Sequence, residues 1–179
     1  ADQIRRLLPQ AKPQDLLTLL NGTHIVLPPF EGAPKHAVYH GARSDGRPFF
    51  TIPWRGLYLV GTTETSFSGD PDRMLPTDPE IEYLLKEVNA MFPRSNITRE
   101  SILYSYCGSR PLMRASGSNM NSASRDHSIY DHETEDGVAG LLTMVGGKLT
   151  TARSFAWEAL RQAAAKLVFS PPVDAGIPD

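Results

Sequence analysis

Between Gly140 and Leu160 the chain sets a short apolar run, two adjacent glycines, a lysine and a helical repeat end to end. No other stretch narrows the choice of fold as much. Gly140-Leu141-Leu142-Thr143-Met144-Val145 reads as a buried strand. Apolar residues at 149, 152, 155, 156, 159, 160, 163 and 167 then recur at helical spacing. Gly146-Gly147-Lys148-Leu149-Thr150-Thr151 joins the two. Glycine takes dihedrals closed to other residues and lets a ligand approach the backbone. A helix start offers N–H groups without helical acceptors and the positive end of a dipole, so the stretch can face an anion. An ordinary strand-to-helix turn uses the same residues, and the hexapeptide alone leaves both readings open.

Size and charge bound what can stand around that turn. A chain of 179 residues, 40% hydrophobic, fits one domain with a sizeable core or one large piece of a bigger fold. Eighteen Lys and Arg against 20 Asp and Glu argue against a dominant nucleic-acid surface, and no nucleic-acid partner is expected. A single cysteine, Cys107, excludes an internal disulfide and a cysteine-rich zinc site, and it suits a reducing compartment. His36 and His40 lack the acids or cysteines of a metal site, so no metal is expected. No apolar run approaches the roughly 20 residues of a membrane span. The chain opens on Ala1 with residues that read as the middle of a domain, so it is expected to be part of a longer protein.

The remaining elements follow from spacing and turn chemistry. Residues 1–20 carry a leucine-rich amphipathic pattern broken by Pro9 and Pro13, predicting one or two short helices or turns before Asn21-Gly22 punctuates the chain. Thr23-His24-Ile25-Val26-Leu27 is a short strand; His24, at its start, is by itself an ordinary core or rim histidine. Residues 37–40 and 48–52 flank Asp45-Gly46, a hairpin signal. Another strand spans 57–63, and 66–76 reads as a loop around Gly69-Asp70-Pro71. Thr77-Asp78-Pro79-Glu80 is a capping box opening a purely structural helix whose core face is Ile81, Leu84, Leu85, Val88 and Met91 or Phe92. Residues 102–107 form a strand running into Gly108-Ser109-Arg110-Pro111-Leu112, where a bend and a proline deliver the Arg110 guanidinium at a strand end; a solvated surface arginine is the plain alternative. Residues 115–123 form a polar loop, Ser124 to Tyr130 a half-buried strand, and Glu135-Asp136-Gly137 a polar turn. Residues 169–179 read as a frayed tail. The sum is α+β, a mainly antiparallel sheet with flanking helices.

In order, Thr23 to Leu27, Pro53-Trp54, Gly61-Thr62-Thr63-Glu64 with Gly69-Asp70-Pro71, Arg110-Pro111-Leu112, Ser124-Arg125-Asp126-His127 and Gly146 to Thr151 resemble the FAD-dependent glycerol-3-phosphate dehydrogenases, flavoproteins of the D-amino-acid-oxidase-like fold. The likeness runs from about residue 20 to 168. It implies oxidation of sn-glycerol 3-phosphate to dihydroxyacetone phosphate, with hydride passing from C2 to FAD and electrons going on to quinone or another acceptor. It also implies a cytoplasmic protein, with peripheral association at the inner face of the membrane as a further expectation. Gly146, Gly147, Lys148, Leu149 and Thr150 would hold the flavin at its carbonyl edge. Arg110 and Lys148 would meet the substrate phosphate, as a bidentate fork and a point charge, with Lys148 alternatively nearer the flavin. His24 would hydrogen-bond or deprotonate the C2 hydroxyl.

By role, the resemblance divides the chain into a substrate-binding domain (1–145), a flavin-capping loop and helix (146–168) and the tail. Cys107 and Ser109 stand where a small and an aliphatic residue are usual, Ala152 where an aromatic is frequent, and Glu64 where aspartate is common. The family's Gly-x-Gly-x-x-Gly nucleotide fingerprint occurs nowhere in the sequence, so the chain by itself is expected to be inactive and probing it alone to find little flavin. A flavin enzyme for another hydroxy acid or amine, and a non-redox phosphate-binding module, are the competing readings.

Overall fold

The structure, a computed structural model, describes residues 1–10, 12, 14–114 and 127–167. The polar loop at 115–123, the first residues of the strand expected from Ser124 and the tail at 169–179 lie outside these. By packing the chain divides into two units, residues 1–18 with 111–179, and residues 19–110. Gly146 to Lys166 therefore share a unit with the strands before them, a division that differs from the one by role at 145.

The 19–110 unit is α+β. Its sheet contains β1 (Leu17–Leu27), β2 (Val38–Gly41), β3 (Pro48–Trp54), β4 (Leu57–Gly61), β5 (Thr65–Phe67) and β6 (Tyr104–Met113). The order is β2-β3-β4-β1, with β5 and β6 also pairing with β1. β2–β3, β3–β4, β1–β4 and β1–β5 are antiparallel. Asp45-Gly46 makes the hairpin expected of it, Gly46 at φ +72° donating to the Ala42 carbonyl at 2.8 Å. Arg55-Gly56 closes the next hairpin with positive φ at both residues, the two-residue turn whose twist suits paired strands.

Along β1, His24 pairs with Gly61 and Asn21 with Thr65. Three steps on β1 thus face four on the other side, and the extra residue is a bulge between β4 and β5. α2 (Asp78–Met91) opens on its capping box, with the Thr77 N–H donating to Glu80 Oε2 at 3.1 Å. Ile81, Leu84, Leu85 and Val88 pack on Ile25, Leu27, Phe49 and Val60. Burying each such side chain contributes about 1.5–3 kcal/mol, and this layer fixes α2 against one face of the sheet.

Leu17 to Leu20 are strand, because β1 extends back to Leu17 and pairs Leu19 and Leu20 with Phe67 and Ser66. Asn21-Gly22 lies inside that strand and makes no turn; the Asn21 amide donates to Glu80 Oε2 at 2.9 Å. The 66–76 loop begins with the last residues of β5 and contains one 3₁₀ turn, Pro71–Arg73. Arg110 sits within β6, not at a strand end, because neither Gly108 nor Pro111 breaks the strand.

The other unit holds α1 (Asp2–Arg5), the antiparallel pair β7 (Ser128–Asp131) and β8 (Leu142–Val145), α3 (His132–Asp136) and α4 (Ala152–Lys166). The turn expected at 135–137 is the end of α3, with Gly137 as its left-handed cap at φ +72°. β8 is half-buried, not buried: Val145 is enclosed while Met144 is 49% exposed. The helix after Lys148 forms, but only Phe155 and Ala164 are buried on it, so the apolar stripe read from sequence is mostly uncovered.

α3 carries a buried network. His132 is fully buried, its Nδ1 2.8 Å from Asp136 Oδ2 and its Nε2 2.8 Å from Thr143 Oγ1. Arg5 donates twice to Asp136 at 3.2 Å and once to the Gln14 carbonyl, tying α1 to α3. The Arg5 hydrogen bond, opposed by burial and aided by His132 and the Lys12 N–H, holds the Asp136 carboxyl far below the usual carboxylate range.

Candidate functional site

Side chains alternate across a strand, so Gly22 and His24 share one face of β1 while Asn21 and Thr23 face α2. Arg110 lies against Gly22. A Cβ there would stand 2.6–2.7 Å from the guanidinium carbon and both terminal nitrogens, which explains why residue 22 is glycine. Arg110 Nη1 donates to the Thr63 carbonyl at 3.2 Å and Nη2 to Thr62 Oγ1 at 2.8 Å, both in the bulge.

His24 rests on Gly61 in the same manner, since a Cβ at 61 would approach its Cδ2 to 2.5 Å. Its other side stacks on Tyr106 of β6, ring centroids 5.1 Å apart and 8° from parallel. Burial and then the Arg110 charge push the imidazole below its ordinary pKa, against the pull of the Gly22 carbonyl. The ring is therefore neutral at pH 7. Its Nδ1 is buried with no partner in hydrogen-bond geometry among the described residues. A neutral base and a cation thus stand side by side on one face of the sheet.

In the other unit, Gly146 and Gly147 take φ of +73° and +88° and lie at the surface. A Cβ at 147 would come within 3.3 Å of Phe155 and 3.4 Å of His127. The Lys148 N–H donates to Thr151 Oγ1 at 3.1 Å, and Leu149–Thr151 form a 3₁₀ turn leading into α4. The N–H groups of Leu149 and Thr150 stand in that first turn, where no acceptor exists within the helix. Leu149 is 95% exposed. Two left-handed glycines, the N–H groups of a first turn and an exposed leucine thus share one surface loop.

Residues 1–153 match the family described as FAD dependent oxidoreductase. The chain belongs to this family. It is 44% identical over 151 residues to a glycerol-3-phosphate dehydrogenase from Synechocystis sp., covering 84% of this chain and 27% of that protein. It is 37% identical over 142 residues to an aerobic glycerol-3-phosphate dehydrogenase from Staphylococcus haemolyticus, covering 79% and 25%. Among solved structures, the glycerol-3-phosphate dehydrogenase from Bacillus halodurans complexed with FAD superposes with a TM-score of 0.70 at 30% identity, over 87% of this chain and 28% of that one. The chain spans about a quarter of the length of these relatives.

Within this family member, the structure brings His24 and Arg110 together in one unit and sets Gly146 to Thr150 in the other. Sequence reasoning missed the floor beneath the first pair: Gly22 and Gly61 as contact surfaces, Tyr106 as a stacking partner, and Thr62 and Thr63 as acceptors for Arg110. The signal was available in the alternation of small and functional residues along 22–24. A hollow of about 520 Å³ in the same unit is lined by Asp45, Glu64, Glu80 and Arg47 among others. Its acids outnumber its one cation, so it is a poor site for a phosphate dianion. No helix among the described residues is long and apolar enough to cross a membrane.

Proposed function

We propose that the chain supplies the substrate-binding sheet and the flavin-capping loop of an FAD-dependent dehydrogenase that oxidises sn-glycerol 3-phosphate to dihydroxyacetone phosphate. The observation that carries this reading is Arg110 held over Gly22 beside a neutral His24. A phosphate monoester wants a planar, permanently charged fork, and a secondary alcohol losing hydride from its carbon wants a base for its hydroxyl proton. The two groups sit on one surface, as the phosphate and the neighbouring C2 hydroxyl of one substrate require.

Arg110 binds and orients the phosphate, its guanidinium held by Thr62 and Thr63. The His24 imidazole accepts the C2 hydroxyl proton, and burial, then the Arg110 charge, keeps the ring unprotonated in the resting state. FAD, when bound, accepts the hydride. Gly146, Gly147, Leu149 and Thr150 would offer it backbone N–H groups, and the helix start of α4 would favour negative charge on the reduced ring. The Lys148 ammonium is a point charge for an anion at that loop. The complete enzyme would hand its electrons to a quinone or another acceptor, with peripheral membrane association as part of the same proposal.

The test is turnover by the holoenzyme carrying this chain. Dye reduction is measured with glycerol 3-phosphate, glycerol and simple 2-hydroxy acids. Glycerol 3-phosphate is expected to be preferred, and Arg110→Ala to lose most of that preference. Equal turnover of the uncharged alcohol, or a preference untouched by Arg110→Ala, refutes the assignment.

A further inference from the structure

We propose that Glu80 is a positioning residue for Arg110 and His24, acting from the opposite face of the sheet by holding Thr63 and Thr23 together at the β4–β5 bulge. The inference rests on the function proposed above for Arg110 and His24.

Glu80 is 2% exposed and stands in the first turn of α2. A capping box asks only that it accept from the Thr77 backbone. The Thr77 N–H at 3.1 Å and its Oγ1 at 2.9 Å satisfy that role. Four further donors converge on the same carboxylate: Asn21 Nδ2 at 2.9 Å, Thr23 Oγ1 at 3.0 Å, Thr63 Oγ1 at 2.8 Å and Thr65 Oγ1 at 2.6 Å. Burial pushes the Glu80 carboxyl up, but the bonds from Thr65, Thr77 and Thr63 outweigh it and leave the group below its usual value. A buried charge is costly unless its partners are complete, and helix capping alone does not require this one.

What the four donors share is the bulge. Asn21 and Thr23 lie on β1, while Thr63 and Thr65 lie on the segment carrying the extra residue. Thr63 replaces a regular ladder partner: the Thr23 N–H donates to its Oγ1 at 2.8 Å, and its own N–H reaches the Thr23 carbonyl at 3.3 Å. Glu80 fixes the direction of that hydroxyl. The Thr63 carbonyl then accepts from Arg110 Nη1, and neighbouring Thr62 Oγ1 accepts from Nη2. On β1, the residues alternating with Asn21 and Thr23 are Gly22 and His24, the floor of Arg110 and the base beside it. One carboxylate therefore pins β1, which carries His24 and Gly22, to the bulge whose oxygens hold Arg110.

The experiment is Glu80→Gln in the holoenzyme. The amide keeps the size and most of the contacts while removing the charge and turning one acceptor oxygen into a donor. Expected is a rise of about tenfold in KM for glycerol 3-phosphate with kcat within about twofold, as for residues coupled through one network. The rise disappears in the Arg110→Ala background. The His24 ring, titrated by NMR, moves toward its ordinary pKa as the Arg110 charge moves away, a shift that a capping role would not produce. Tyr106 stacks on that ring and the Arg110 charge acts on it, both from β6. Thr63→Val, which cuts the single hydroxyl linking Glu80 to the Arg110 acceptor, gives the same changes in a protein with the carboxylate intact. Folded variants with unchanged KM and unchanged His24 titration overturn the proposal, as does an equal KM rise in the Arg110→Ala background. If the wild-type holoenzyme does not oxidise glycerol 3-phosphate, the function assigned above fails, and the His24 titration still decides the role of Glu80.

Discussion

Gly22→Ala tests the site at its tightest contact. The added Cβ would stand 2.7 Å from the Arg110 guanidinium carbon and within 2.7 Å of both terminal nitrogens. Ordinary carbon contacts lie near 3.5 Å, so the group must retreat by about 0.8 Å. That displacement carries the 2.8 Å bond to Thr62 Oγ1 to the limit of hydrogen-bond geometry and breaks the 3.2 Å bond to the Thr63 carbonyl. The backbone itself does not object: alanine is better than glycine inside a strand by about 0.5–1 kcal/mol. The lost bonds come from a charged donor that regains water, and the net change in stability stays within about 2 kcal/mol. Activity is the sensitive readout, because misplacing a substrate-positioning group by about 1 Å costs on the order of 100-fold. Steady-state dye reduction by Gly22→Ala holoenzyme should therefore show kcat/KM for glycerol 3-phosphate down by about 100-fold, or roughly 2.7 kcal/mol. The loss should fall mainly in KM and spare the slow turnover of glycerol. A folded variant with wild-type kcat/KM, or an equal loss on both substrates, refutes the placement of the phosphate at Arg110.

Gly147→Ala forces a side chain into left-handed backbone at φ +88° and toward Phe155, a strain of about 1–2 kcal/mol at the loop assigned to the flavin. The purified holoenzyme should retain less FAD per chain by absorbance, and full retention contradicts that assignment. Asp136→Asn leaves the buried Arg5 guanidinium without its anion and should cost about 3–5 kcal/mol in thermal unfolding at pH 7. Because the folded carboxyl titrates below its unfolded value, its contribution is complete above the ordinary carboxylate pKa of about 4 and fades as pH falls below it. Wild-type stability should drop below about pH 4 with a slope that Asp136→Asn loses in part, and parallel curves for the two proteins would falsify that account.

What the sequence made legible is what local chemistry decides. Thr77-Asp78-Pro79-Glu80 followed by Ile81, Leu84, Leu85 and Val88 specifies both the start and the buried face of α2. Asp45-Gly46 specifies a hairpin because it tolerates the left-handed backbone that such a turn needs. Leucines at 16, 17, 19 and 20 satisfy a helical and a strand reading alike, and only pairing with β5 decides between them. Asn21-Gly22, a turn signal by composition, is held straight because its amide and its missing side chain are each claimed by a distant residue, Glu80 and Arg110. The uncovered stripe on α4 shows the converse: periodicity reports what a helix can bury, not what lies against it.

The polar pattern carried information that the apolar pattern did not. Asn21 and Thr23 stand two apart on β1, which places both on one face of that strand, while Thr63 in the bulge and Thr65 at the start of β5 also stand two apart. Buried hydrogen-bonding side chains, as those of Asn21, Thr23 and Thr63 are, need an acceptor beneath them that no neighbour in sequence supplies. Glu80 is that acceptor, and it hides in plain sight as a capping residue because its two Thr77 contacts are the ones visible from sequence. The same alternation read from its other face gives Gly22 and His24. A strand that buries polar groups on one side and pairs glycine with histidine on the other is therefore supported from below and cleared from above, and Arg110 occupies the cleared space.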